Sequence, residues 1–464
     1  MTRTRPGPGP DPRFGAPSDP TADAIAAVAA REVAPDLPAC HGAFPLVSPA
    51  RLQAAAALAG APARAFRRVL MLEVGSGVGL AAQAAALAGT GAEILAQTSE
   101  PDEAAHAAAL LAESGLDLPL HAGPPETLEE MPAGTQAGLD ALDLVVMPWG
   151  WDLAGPAARA AILALLSRRL APGGGFLLTR SVAPGALGDA ALRQLIRSRW
   201  AAAADLSDPA ARMARTLEEA ERIALCSQRF MRGAVDWAET RDRMRRLPPE
   251  VFARIWGAPR PPVEDARALG AALSAAGLTR WTPADPLRLA PSFDMTEAQM
   301  AELDRCADPF LAAETADLML MRQTRTDLFL KPGGPEAAPG ALALAAAPDL
   351  PARIAAGLRV EGMLGPMTLA RAAYLPLAEA LVEGPARLDA LGESLDEPPA
   401  ALVERAAVLL GAGLAEPRPH GAAEPPAEAV AACARLRENL LRRGIAWVGG
   451  DPRTGGAERA AIRP

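Results

Sequence analysis

VLMLEVGSGVGL, residues 69–80, joins an unbroken apolar run to glycines at every second position, 75, 77 and 79. The run is too short for an ordinary helix and lacks polar alternation, which suits a strand buried on both faces. Glycines after such a strand let the backbone turn sharply and let a ligand lie against it, because a Cβ would occupy the space. An Ala-rich segment follows and opens a helix. A nicotinamide-binding loop needs its third glycine one place later, where this chain has Leu80.

Working outward, Ser48-Pro49 form an N-cap and N1 pair for a helix that leads into this strand. Further strand-like runs occupy Glu93 to Gln97, Leu142 to Met147 and, after the turn PGGG, Gly175 to Thr179. Ala-rich helical segments separate them. Apolar strands alternating with helices predict a parallel sheet covered on both faces, with ligands held at the carboxyl ends of its strands. The residues to inspect are therefore those just after each strand. They are Glu73, Gly75, Ser76, Gly77 and Gly79 after the first, Thr98, Ser99 and Glu100 after the second, and Met147, Trp149, Trp151 and Asp152 at the third. Glu100 stands before Pro101, where a helix dipole favours an acid, so it either reaches a ligand or serves the helix. The two tryptophans either wall a channel or pack beneath the helices, and Asp152 either handles a proton or caps the next helix.

A chain of 464 residues exceeds one hydrophobic core. A Pro/Gly-rich tail covers 1–40, and the α/β domain 41–187. A charged helical region follows over 188–332, with few strands expected. A Pro/Gly linker at 333–340 leads to a third unit at 341–450, with a tail at 451–464. In the third unit Leu358 to Leu364 reads as a short strand, Met367 to Leu381 as a helix kinked at Pro376, and Ala400 to Leu414 as a second helix. Net charge of -9 argues against a nucleic-acid binder, whose affinity rests on a concentrated basic surface. The arginine run Arg241 to Arg246 reads as a solvated face paired with the excess acid. Four dispersed cysteines and four histidines show neither disulfide nor metal spacing, so no metal is expected. Without a signal segment or a long apolar run, the expectation is a cytoplasmic protein with no membrane insertion. Lys331 is the only lysine, an Arg-rich bias that reads as genomic base composition.

These residues resemble bacterial class I methyltransferases that carry a methyltransferase regulatory domain, a group that includes the outer-membrane-protein lysine methyltransferases. The resemblance runs through FPLVSPARLQAAAALAG, VLMLEVGSGVG and LLSRRLAPGGGFLL. It continues in DLMLMRQTRTDLFLKPG, with Arg322, Gln323 and Arg325 at matching places, and in GPMTLARAAYLPLAEAL and ALVERAAVLLGAGLAEPRP. It implies an α/β fold: a Rossmann-like class I methyltransferase sheet, then a helical regulatory or middle region, then a small winged-helix-like carboxyl-terminal domain. It further implies S-adenosyl-L-methionine as cofactor and a protein side chain as methyl acceptor.

The departures from that family are specific. An acid that fixes the ribose hydroxyls falls on Thr98, with Glu100 two residues late. An Asp after the third family strand falls near Gly123. A His and a Tyr fall on Pro148 and Trp151, and an Asn-Thr-Tyr-Pro-Gly stretch reads Ser181-Val-Ala-Pro184-Gly185. The leading expectation is a methyltransferase acting on a protein nitrogen such as lysine, with a weakened cofactor site. Two alternatives stand beside it: a catalytically impaired scaffold that binds a partner, and a small-molecule methyltransferase.

Overall fold

The structure, a computed structural model, describes residues 41–42, 45–61, 64–74, 84–85, 87–130, 141–148, 150–183, 185–226, 237–245, 247, 249–257, 263–335, 338–362, 364–418, 426–442 and 447–448. Its centre is a seven-stranded sheet. In chain order the strands are β1 Arg68–Glu73, β2 Glu93–Thr98, β3 Leu120–Ala122, β4 Leu142–Met147, β5 Leu170–Ser181, β6 Arg280–Pro283 and β7 Thr324–Leu330. Their order across the sheet is β3-β2-β1-β4-β5-β7-β6. The first five are mutually parallel, and β7 runs antiparallel between β5 and β6. The order of strands across the sheet reverses between β1 and β4, and in folds of this type ligands are held there, at the carboxyl ends of the strands.

Alternation along each strand divides the core. Val69 and Met71 of β1, Leu144 and Val146 of β4 and Leu177 of β5 share one apolar cluster. Leu70, Leu72, Val145, Met147, Phe176 and Leu178 point into the other. The first face is covered by α1 (Pro49–Leu58), α2 (Pro101–Glu113) and α12 (Ala427–Arg442), through Leu52, Leu110, Leu111, Leu436 and Leu440. The second is covered by α3 (Pro156–Arg169) and α7 (Ala266–Ala275), through Ile162, Leu165, Leu269 and Leu273. Ser48 and Pro49 take the N-cap and N1 places of α1 as the sequence predicts, although the Ser48 side chain makes no capping bond.

The region 188–332 contains the expected charged helices α4 (Gly185–Ala202), α5 (Pro209–Cys226) and α6 (Trp237–Arg245). Arg241 and Arg245 pair with Glu221, as expected of a solvated face that meets the excess acid. The expectation of few strands needs refinement, because β6 and β7 complete the central sheet from this region. The β6 stretch RWTP is short and ends in proline, so it carries almost no strand signal.

Around β7 lies a buried ionic cluster. Arg325 donates from Nε to Asp327 and from Nη1 to Asp317, on α8 (Pro309–Leu320), and its guanidinium lies 4.7 Å from the Trp281 ring centre. Burial opposes the charge on Arg325, yet the Asp327 and Asp317 carboxylates more than offset it and raise its pKa. Asp317 is raised by burial, against the pull of Arg325 and Arg322. Lys331, just beyond β7, donates from Nζ to the carbonyls of Ser167 at 2.8 Å and Leu170 at 2.9 Å. It thereby closes the carboxyl end of α3, where cations are favoured.

A third core joins α9 (Arg371–Val382), α10 (Leu388–Leu395) and α11 (Pro399–Gly411) to a small sheet of β8 (Ala343–Ala346), β11 (Ala386–Arg387) and β12 (Ala415–Pro417). The expected strand near Leu358 is β9 (Arg359–Gly362), in a hairpin with β10 (Gly365–Thr368). Met367 therefore lies in a strand, and the helix that contains Pro376 starts later than the sequence suggests. Ala54 and Leu58 of α1 belong to this third core, while Leu52 and Ala56 belong to the sheet. α12 does not belong to this core. Instead α12 returns to α2, where Arg435 donates to the Ser114 carbonyl at 3.0 Å. Among the described residues no helix is long and apolar enough to cross a membrane, and no cluster suited to a metal ion is found.

Two measurements test this architecture. Arg325→Ala strands two buried carboxylates and is expected to cost about 3–5 kcal/mol in urea denaturation, whereas a loss below ~1 kcal/mol contradicts the cluster. Tyr374, the only tyrosine of the chain, is buried, which pushes its pKa up to about 12. Because the folded value exceeds the unfolded one of 10.0, the stability it contributes is full below pH 10.0 and is lost as pH rises through about 12. Absorbance at an alkaline-sensitive tyrosine wavelength should show one late transition, and ionisation near the ordinary value would contradict the buried placement.

Candidate functional site at the carboxyl ends of the strands

β1 and β2 are in register to their last residues, so Glu73 lies opposite Thr98. Glu73 is 2% exposed and Thr98 is fully enclosed. The Thr98 hydroxyl donates to the Glu73 carboxylate at 2.6 Å. A second carboxylate, Glu103 on the first turn of α2, lies 3.4 Å from the same hydroxyl. Thr98 Oγ1 also accepts from the Glu100 backbone N–H at 3.2 Å. The threonine in the place of the expected acid is therefore the centre of a hydrogen-bonded knot that ties the ends of both strands to the start of α2.

Ser99 bonds through its backbone N–H to the Glu73 carbonyl at 3.2 Å, which prolongs the β1–β2 contact by one step. Glu100 takes the N-cap position of α2 with no side-chain capping bond, before Pro101 at N1. Its side chain is half-buried. Glu103 is the acid that sequence reasoning missed. The signal was its position three residues past an N-cap, which turns a helix side chain back toward the preceding strand end. On the far side of β2, Gln97 donates to the Gly123 carbonyl at 2.7 Å, and His121 bonds Thr127 at 2.9 Å with its pKa lowered by burial.

Gly75, Ser76, Gly77, Gly79 and Trp149 lie outside the described residues. Gly150 has a φ of +99°, and a Cβ there would lie 3.0 Å from the backbone nitrogen and oxygen of Val74. The turn after β4 thus closes directly over the end of β1, and only glycine fits the approach.

Met147 ends β4 fully buried, paired with Leu178. Trp151 is 1% exposed. Its indole N–H donates to Glu264 at 3.0 Å, its ring meets Phe176 edge-on at 6.3 Å, and the Arg159 guanidinium lies 4.9 Å from its centre. Arg159 also bonds the Trp151 carbonyl and Glu264. Of the alternatives for this residue, the structure realises packing beneath the helices, so Trp151 anchors the turn. Asp152 does not cap α3, whose N-cap is Gly155. Its carboxylate accepts from the backbone N–H of Ser181 at 3.0 Å and from the Ser181 hydroxyl at 2.5 Å. Asp152 thus pins the end of β5 to the turn after β4.

A crevice of about 470 Å³ lined by Arg64, Arg67, Asp143 and Pro172 lies at the opposite, amino ends of the strands, away from these groups. There Asp143 accepts from two backbone N–H groups and pairs with Arg64 at 2.7 Å, which accounts for its burial.

The sequence matches no protein-family model and no curated protein. Among solved structures the chain is similar to PKMT2 from Rickettsia typhi, with a TM-score of 0.53 and 10% identity, covering 82% of this chain and 76% of that one. A structure of PKMT2 from Rickettsia typhi in complex with AdoHcy is similar with a TM-score of 0.52 and 12% identity, covering 82% and 77%. At such identities the likeness concerns architecture, and the central sheet of this chain has the Rossmann-like methyltransferase fold.

Proposed function

We propose that this chain is an S-adenosylmethionine-dependent methyltransferase whose acceptor is a protein nitrogen such as a lysine amine. The observation that carries this reading is the knot of Glu73, Thr98 and Glu103 at the ends of β1 and β2, facing the reversal of the sheet, in a fold whose neighbour holds AdoHcy. The cofactor would lie along Glu73, the loop with Gly75, Ser76, Gly77 and Gly79, and Thr98, Ser99 and Glu100, with Met147 and Trp149 beside the reacting end. When bound, it supplies an electrophilic methyl group.

The chain's own residues would hold the acceptor in line, since such a transfer depends chiefly on proximity and orientation. A lysine amine attacks only after losing its proton, and its ordinary pKa of about 10.4 falls in apolar surroundings. Met147 at the end of β4 would supply part of such a surrounding. Asp152 and Trp151 act as positioning residues, the first through Ser181 and the second through Glu264 and Arg159. Thr98 directs its hydroxyl to Glu73 where an acid would accept from a ribose. Each missing bond to a charged group weakens binding by about 1.5–3 kcal/mol, so cofactor affinity below that of a site with the acid is expected.

AdoHcy is expected to raise the melting temperature of the purified chain by linkage. Gly75→Arg or Gly77→Arg should abolish that rise while leaving the unliganded melting point near wild type. Calorimetry without heat at millimolar AdoHcy would sink the methyltransferase reading. Transfer of labelled methyl to lysine-containing polypeptides, absent after lysine acetylation, tests the acceptor, and labelling unaffected by acetylation would reject lysine.

A further inference from the structure

Arg180 is the penultimate residue of β5 and is 5% exposed. Its Nε is fully enclosed with no hydrogen-bond acceptor, and among the described residues its guanidinium makes no hydrogen bond or ion pair. An ion taken out of water is costly unless a counter-charge meets it, so such a group calls for a physical reason.

The surroundings sharpen that demand. By strand alternation Arg180 lies on the same face as Phe176 and Leu178, and its cross-strand partner on β7 is Arg325, a like charge. Asp317 feels the field of Arg180, but its carboxylate is bonded to Arg325 and paired with Arg322. Asp327 is held by Arg325, and Asp294 by Arg288 and Arg322. No carboxylate of the cluster bonds Arg180.

On its other side the ladder with β4 has ended, since the last pair is Met147 with Leu178. Arg180 lies two residues further on, beside the turn that Trp151 and Asp152 hold in place, with Ser181 pinned next to it. It therefore lies at the carboxyl ends of the strands, where the proposed reaction would occur.

We propose that Arg180 binds a carboxylate of a ligand that enters beyond the end of β4, a proposal that rests on the methyltransferase reading. A single guanidinium matches a planar monoanion fork to fork, whereas a phosphate dianion needs more cation than Arg180 alone provides. Two ligands of this reaction type carry that group: the amino-acid end of the cofactor, and an acceptor with an acidic group near the methylated atom.

Wild type, Arg180→Met and Arg180→Gln are compared by melting temperature and calorimetry. The unliganded variants should melt at or above wild type, because the guanidinium removed has no hydrogen-bonded partner among the described residues. A clear fall in both variants makes Arg180 structural and overturns the proposal. Sodium acetate, titrated against chloride at fixed ionic strength, should stabilise wild type more than either variant. AdoHcy is then compared with 5′-methylthioadenosine, which lacks the carboxylate. If the variants lose about tenfold or more in AdoHcy affinity and nothing for 5′-methylthioadenosine, the carboxylate is that of the cofactor. If both affinities persist and the acetate response is lost, it is that of the acceptor. Variants that match wild type with all three probes overturn the proposal. Wild type that responds to acetate but binds neither nucleoside would sink the methyltransferase reading and leave the carboxylate site standing.

Discussion

The placement of β7 between β5 and β6 is the constraint on which the rest of the structure depends. β7 bonds to β5 from Gly175 to Ser181 and to β6 from Arg280 to Pro283, so both sides of one late strand are consumed. A segment more than a hundred residues beyond β5 must return to it before the sheet is complete, a non-local contact that carries a loop-closure cost. The return is secured by a side-chain contact as well as by the ladder, because the hydroxyls of Thr179 on β5 and Thr326 on β7 share a hydrogen bond at 2.8 Å. The charged knot of Arg325, Asp327 and Asp317 is local, and it holds α8 against β7.

The same economy appears in α1. An Ala-rich helix with little difference between its faces is a poor surface helix, and this one has no surface role. Leu52 and Ala56 serve the sheet, Ala54 and Leu58 serve the third core, and Arg51 reaches the Gly411 carbonyl at 3.3 Å. With α12 crossing back to α2, the later units are joined to the sheet at two places. A reading of three consecutive bodies along the chain is thus simpler than the molecule.

The strands β1, β2, β4 and β5 were legible because each is a continuous apolar run next to a turn signal, and buried parallel strands leave that trace. β6 was not legible, since four residues with one proline carry no period, and β7 was visible only through its resemblance to a family segment. The site shows the same division. Glycines 75, 77 and 79 and the substitution at Thr98 stand out in the chain itself. That Thr98 bonds Glu73, that Glu103 turns back toward both, or that Asp152 holds Ser181 depends on distances between elements far apart in sequence. Trp151 illustrates the limit: its residue type suits a channel wall and a packed corner equally, and the Glu264 carboxylate at its indole decides for the corner.

Lys331 closes α3 with its ammonium on two backbone carbonyls, and the chain has no other lysine. Under the proposed reading, a catalyst of amine methylation made in this way would scarcely compete with its own substrate. Its single side-chain amine is held as a helix cap on two carbonyls, and every other long cationic side chain is an arginine. At high enzyme concentration, where collisions between copies are frequent, self-modification has almost no target.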